Sequence, residues 1–355
     1  MIKEKANINW NELKFSYLKT DYRYISFWKD GKWDEGKLTE DNYIRINEGS
    51  TVIHYGQGAF EGLKAFTQKN GSIGIFRPDM NAKRLQNTAK RILMAEVPED
   101  KFIKACKDVV ATNYKYIPPY GYDASFYIRP YEIGVGENLG VRPAPEYLFS
   151  VFGVPVGPYF KGGFNPVNMV VADYDRAAPK GTGHVKVGGN YASSLLPHQI
   201  AAEQGFADCI YLDPKENRYI EEVGAANFYG ITKNGEFVTP KSGSILPSIT
   251  RLSIMELCEK VLKMPVFEKP IDINSLDQFS EVGACGTAAV ISPIGSITYK
   301  DKVFKFYKDG KEVGPITKKL YELLLSIQRG ESDIFKEWIY ILDQAKLFFY
   351  FNSLL

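Results

Sequence analysis

Residues 184–191, HVKVGGNY, place one lysine, Lys186, between two valines and directly ahead of a glycine pair and a tyrosine. How that lysine is read decides the fold. Valine-lysine-valine is simple alternation, and on alternation alone Lys186 is a solvent-facing side chain at a strand edge. The chain holds 44 Lys and Arg residues, so a surface lysine needs no special cause. A long cation among small and β-branched residues has little packing reason to be there, and the surrounding sequence must decide.

Outward from this stretch, the totals are those of an ordinary globular chain. Its 355 residues provide material for about two domains with real cores. The hydrophobic fraction is 45%, the charged fraction 24%, and the aromatic fraction is high at 14%. A formal net charge of +2, with no block or stripe of Lys and Arg, argues against nucleic acid as the main partner. Four cysteines (Cys106, Cys209, Cys258, Cys285) lack CxxC spacing and three histidines lack an HExxH arrangement. A disulfide scaffold and a zinc site are therefore not expected. The opening residues MIKEKANINW have no apolar stretch of the export type. The uncharged run at 147–160 is too short to span a membrane, and that at 282–299 is dense in Gly, Ser and Thr, which suits buried strand and loop. The expected location is the cytoplasm.

Residues 21–80 read as strand-rich, including TVIHYGQGAFEGLKAF at 51–66. After Pro78, Leu85, Ala89 and Ile92 recur at helical spacing, and KFIKACKDVVATNY at 101–114 gives a second helix. Strands are expected at 124–134 and 146–156. A Pro/Gly-dense stretch at 155–166 reads as a linker, dividing the chain into 1–154 and 167–355. Beyond it, strands at 167–175, 208–213, 219–224, 227–232 and 289–299 alternate with helices at 193–205, 250–262 and 317–330. Mixed elements on both sides of the linker mean two α/β or α+β domains.

The common phosphate motifs are missing. Neither Gly31-Lys32 nor Gly310-Lys311 is followed by Ser or Thr, and in GTGHVKVGG Lys186 occupies the place of the third Rossmann glycine. Subtler anion sites remain. Ser248 in LPSITR is a good N-cap and leaves the N–H groups of Ile249 and Thr250 at a positive helix end. Arg77 in IFRPD stands at a strand end before a helix, where a guanidinium can clamp phosphate or form a surface ion pair. Adjacent Glu221 and Glu222 in EEVGAAN point to opposite faces of a strand, so one should face inward if the strand is half-buried. The GTAAV turn offers backbone N–H groups near Thr287. Tyr55, Phe60, Tyr127 and Arg129 form an aromatic set with one cation.

Taken together and in order, HYGQGAFEGLKAF, GIFRPDMNAKRL, FYIRPYEIG, KVGGNYASSL, EEVGAANFYGI, LPSITR, GTAAVISPIG and GPITKKLYELLLSIQRG resemble the branched-chain amino-acid aminotransferases, of the fold-type-IV pyridoxal-phosphate group. The resemblance covers roughly residues 20–340. It implies a small N-terminal α/β domain and a larger C-terminal domain with a mixed, barrel-like sheet. It also implies transamination between L-leucine, L-isoleucine or L-valine and 2-oxoglutarate, with pyridoxal 5′-phosphate as cofactor. By resemblance, Lys186 covalently holds the cofactor aldehyde and carries the catalytic proton. Tyr191 bonds the ring oxygen, and Glu222, in the EVG register, faces the ring nitrogen. Arg77, Ile249, Thr250 and Thr287 hold the phosphate. Phe60, Tyr127 and Arg129 line the substrate pocket, Ala288 with Thr287 meets the α-carboxylate, and Tyr55 comes from the neighbouring subunit of a homodimer.

Three departures from the family pattern stand out. Ala225 replaces a threonine of mammalian members. Ala289 and Ser292 replace their redox cysteine pair, and Glu221 stands where a non-acidic residue is common. D-amino-acid aminotransferase and aminodeoxychorismate lyase share the fold, but usually lack the GPITKKLYELLLSIQRG type of ending. A cofactor-free binding protein and a nucleotide-dependent dehydrogenase are the remaining readings.

Overall fold

The computed structural model describes residues 4–158 and 163–342. These divide into two compact units, one of residues 4–158, 186–188 and 325–342, the other of residues 163–185 and 189–324. Residues 159–162 of the expected linker and the tail 343–355 lie outside the described residues.

In the first unit, β1 (Arg23–Lys29) turns through Asp30 and Gly31, both at positive φ, into β2 (Lys32–Trp33), and β3 (Lys37–Thr39) returns on β1. The strand-rich expectation for 51–66 fails at its start, because Thr51–Tyr55 is helix α1. Gly56 stops that helix in the left-handed conformation, returning its N–H to the carbonyl of Thr51. Strands β4 (Gly58–Phe60), β5 (Leu63–Thr67) and β6 (Ile73–Phe76) follow, then helices α2 (Pro78–Arg91) and α3 (Glu99–Thr112), then β7 (Ser125–Val135) and β8 (Glu146–Val156). Proline at the first position of α2 loses no hydrogen bond there. The sheet runs β6-β5-β7-β8-β1-β2, with β4 on β7 and a late strand, Ile339–Ile341, on the outer side of β6.

The core of this unit forms where α3 presents Phe102, Ala105, Cys106, Val109 and Val110 at helical spacing. Ala82, Leu85 and Ala89 of α2, and Phe126, Ile128, Phe149 and Val151 of β7 and β8, are also buried. Truncating Phe102 to alanine would remove about 3–5 kcal/mol.

The second unit contains β9 (Val167–Val171), helix α4 (Gly188–Ala192, whose first residue is grouped with the first unit), α5 (Leu195–Glu203), β10 (Asp208–Leu212), β11 (Ile220–Val223), β12 (Ala226–Thr232) and β13 (Phe237–Thr239). Next come α6 (Ile249–Glu256) with a π turn at Leu257–Val261, β14 (Val266–Glu268), β15 (Phe279–Gly286), β16 (Val290–Tyr299), β17 (Lys302–Lys305) and α7 (Pro315–Gln328, whose last turn is grouped with the first unit). Six strands close on themselves in the order β11-β10-β9-β16-β15-β12, because β11 also pairs with β12. The β9 pairings with β10 and β16 are parallel and the rest of the ring antiparallel. This is the mixed, barrel-like sheet the resemblance implies. Its core holds Met169, Ile210, Phe228, Val238, Val282, Ile294 and Ile297. Glu281 of β15 caps α7 by accepting from the N–H groups of Ile316 (3.1 Å) and Thr317 (2.7 Å).

All four cysteines are buried thiols. Among the described residues no cluster of His, Cys, Asp and Glu could hold a metal ion, and no helix is long and apolar enough to cross a membrane.

Candidate active site

The first unit gathers Lys186, Phe60, Tyr127 and Arg129. Residues 186–188 lie against β4: the N–H of Phe60 donates to the Lys186 carbonyl at 3.2 Å, and Ala59 bridges to Val187. The N–H of Lys186 donates to Thr88 Oγ1 of α2 at 3.1 Å. These bonds turn the lysine away from the surface that alternation alone would give it. Its Nζ stands 4.7 Å from the centre of the Phe60 ring. Burial, more than any neighbour, lowers its pKa from 10.5 to about 8. The Arg84 and Arg129 cations push the same way, against Glu61 and Tyr127.

Tyr127 and Arg129 share one face of β7 because they are two residues apart. An Arg129 Nη donates to the Tyr127 hydroxyl at 3.1 Å, and the guanidinium lies 5.0 Å from the Phe60 ring centre. Its Nε is buried and has no partner among the described residues, a donor left for something else. Gly62 makes room for this group, since a Cβ there would collide with the Tyr127 hydroxyl.

Arg77 sits between β6 and α2 at φ 44° and ψ 48°, the left-handed region in which an arginine is strained. Its N–H donates to the Trp338 carbonyl at 2.8 Å, and its guanidinium stacks 4.5 Å from the Trp338 ring centre. Tyr55 ends α1 and is 43% exposed, with its hydroxyl on the Leu139 carbonyl.

In the second unit, β11 is buried on both faces, so both Glu221 and Glu222 are interior rather than one of them, as a half-buried strand would have it. Glu222 Oε1 accepts from the N–H of Leu246 at 2.7 Å and from Asn227 Nδ2 at 3.3 Å, and its Oε2 lies 3.4 Å from Arg176 Nε. Glu221 Oε1 accepts from Ser242 Oγ at 2.6 Å and from Ser244 Oγ. Arg176 is itself anchored by donating to the carbonyls of Gly183 and Ser244. Tyr191 lies half-buried in α4.

Ser248 does cap α6, its hydroxyl accepting from the N–H of Arg251 at 3.2 Å. Ile249 and Thr250 therefore supply the first-turn N–H groups, which have no carbonyl within the helix. Thr287 and Ala288 occupy the turn between β15 and β16. Val290 ends that turn at φ 62°, a strained value for a β-branched residue.

The structure adds Glu61, Arg84 and Thr88 beside Lys186, Asn81 beside Glu61, and Arg176 beside Glu222. Asn81, Arg84 and Thr88 repeat at helical spacing next to the apolar stripe Ala82, Leu85 and Ala89, a signal present in the sequence. No comparable signal marks Arg176.

The chain matches the family model described as Amino-transferase class IV over residues 58–297. It is 58% identical over 338 residues to the branched-chain-amino-acid aminotransferase of Haemophilus influenzae, covering 94% of this chain and 98% of that one. It is 54% identical over 336 residues to the Helicobacter pylori protein of the same description, again covering 94% and 98%. Among solved structures, it resembles the Escherichia coli branched-chain amino acid aminotransferase with a TM-score of 0.76 at 28% identity, covering 92% of this chain and all of that one.

Proposed function

The chain belongs to the class IV aminotransferases, and within them to the branched-chain-amino-acid aminotransferases, and on that premise we propose how its own residues divide the reaction. It transfers amino groups from branched-chain L-amino acids, using pyridoxal 5′-phosphate. That cofactor, when bound, supplies an electron sink for the pair left on the substrate α-carbon.

The residues present fit such a group: a desolvated lysine, a carboxylate held by two hydrogen-bond donors beside a guanidinium, a strained arginine and a capped helix start. Lys186 would hold the cofactor aldehyde and then, as a neutral amine, move a proton to and from the substrate α-carbon. The observation that carries this reading is the setting of its Nζ, 4.7 Å from the Phe60 ring centre and partly desolvated, because an amine with a pKa of about 8 is neutral far more often than one at 10.5. Glu222 would keep the ring nitrogen protonated, and Tyr191 would donate to the ring oxygen. Arg77, Thr287 and the N–H groups of Ile249 and Thr250 would bind the phosphate.

Phe60 and Tyr127 would give the aliphatic side chain an apolar wall. Arg129, with its spare Nε, would pair with the side-chain carboxylate when 2-oxoglutarate takes its turn in a ping-pong sequence. The N–H groups near Thr287 and Ala288 would hold the α-carboxylate. Exposed Tyr55, with Leu139 and Val141 more than four-fifths exposed, suits a homodimer in which Tyr55 serves the neighbouring subunit. The division into 1–154, 155–166 and 167–355 and a cytoplasmic location belong to the same reading.

Borohydride reduction of the yellow holoenzyme followed by peptide mass mapping should place the label on Lys186. Lys186→Ala should abolish turnover of L-leucine with 2-oxoglutarate. A label on another lysine, or near-normal turnover by Lys186→Ala, would refute the assignment. Turnover of D-alanine or aminodeoxychorismate above that of L-leucine would favour the sister activities instead.

A further inference from the structure

Glu61 is completely buried, directly after the phenylalanine whose ring faces Lys186 Nζ. Its carboxylate is held by Arg84 Nε (2.8 Å to Oε1), Arg84 Nη2 (2.7 Å to Oε2) and Asn81 Nδ2 (2.7 Å to Oε2), with the N–H of Gly62 at 3.3 Å. Arg84 itself is nine-tenths buried. A buried ion pair is a weak source of stability, because the desolvation of both charges offsets their attraction. An apolar pair of the same volume would pack this place as well, which leaves the pair's presence to be explained by what lies beside it.

The lysine lies beside it. The two elements bearing the pair are the two that hold the Lys186 backbone. Phe60, next to Glu61, donates to the Lys186 carbonyl. Thr88, one helical turn after Arg84, accepts from the Lys186 N–H and donates to the Arg84 carbonyl at 3.0 Å. Among the described residues, the charged and titratable groups that weigh most on the amine are Arg84, then Glu61, Tyr127 and Arg129.

We propose that Glu61 and Arg84 are a positioning pair for Lys186: they fix the two elements that hold its backbone, and their opposite charges set how readily its amine gives up its proton. The proposal rests on the reading of Lys186 as the cofactor-bearing lysine. Arg84 disfavours the ammonium and Glu61 favours it, so neutralising each should move the amine in opposite directions. A purely structural role would not produce that reversal of sign.

The test is the pH dependence of acetylation of Lys186 in the apoenzyme, followed by peptide mass spectrometry. Arg84→Gln should raise the titration midpoint and Glu61→Gln should lower it, each by about one pH unit. Arg84→Lys, and the charge-neutral double replacement Glu61→Gln with Arg84→Met, should both stay near the parent value. Shifts of the same sign, or none, would overturn the proposal. If a single neutralised variant does not fold, the other single variant is compared with the double variant, and equal midpoints in those two would overturn it. Borohydride labelling of the parent holoenzyme separates the two failures: a label away from Lys186 removes the reading, whereas a label on Lys186 with unmoved midpoints removes only the pair.

Discussion

Glu132 and Glu222 are both glutamates inside a sheet, yet the two regions treat them oppositely. Glu222, in the closed barrel, has partners for both carboxylate oxygens: Leu246 N–H and Asn227 on one, Arg176 beside the other. Glu132, on β7 of the first sheet, is fully buried, with no partner for either oxygen among the described residues. Burial alone drives its pKa well above 4.5. The first carboxylate is built into a polar network, whereas burial in an apolar interior favours the neutral form of the second. Residue type and depth are the same, and the neighbours decide which species exists.

The contrast breaks most sharply if Glu222 is removed. Glu222→Leu strands the buried Arg176 guanidinium and should cost about 3–5 kcal/mol of apoenzyme stability in urea unfolding. Replacing Arg176 with Met in the same chain should recover most of that loss, and failure to recover it would show that Arg176 anchors the Gly183 and Ser244 segments on its own. A buried cation extends the comparison. Lys64 is pushed from 10.5 to about 8, chiefly by burial, so the unfolded chain binds a proton the folded chain lacks between those values. Stability in urea unfolding should rise with pH through that window, and Lys64→Met should flatten that rise; an equally steep rise in the variant would mean another group titrates there.

Glu132 should give a smaller effect of opposite pH sense. Its folded pKa is raised, so its contribution is fully present below about 4.5 and falls as pH rises toward the folded value. Glu132→Leu should therefore stabilise by about 1–3 kcal/mol at pH 7 and by less at pH 5. An unchanged pH–stability profile would mean the carboxyl is not neutral in the fold. Smallest is Ser248→Ala, which removes a neutral cap and should cost about 1 kcal/mol, measured by thermal unfolding.

What could be read from the sequence follows the range of the interaction. Helices α2, α3 and α7, and the Ser248 cap, are written in neighbouring residues and were legible. The proposed roles of Lys186, Arg129 and Glu222 rest on flanking motifs that carry the family resemblance. The helix at Thr51–Tyr55 was not legible, since β-branched residues favour strand while Gly56 and the turn at Asn47 decide otherwise. The strand Ile339–Ile341 is defined only by β6, far away in the chain. The Glu61–Arg84 pair depends on a strand meeting a helix, and sequence alternation gives no depth for either partner. Burial of both Glu221 and Glu222 likewise reflects a barrel strand covered on both sides rather than one.

The four interior thiols have a practical consequence. Burial raises Cys209 to about 11 and Cys258 and Cys285 to about 12, and it pushes Cys106 well up. Alkylating reagents attack the thiolate, so the native chain should stay unlabelled while any opened molecule is marked at once. Pulsed iodoacetamide then becomes an internal counter of unfolding, with two reporters in α3 and β10 and two more in the π turn after α6 and in β15. Each region's opening could be timed separately without adding a single probe.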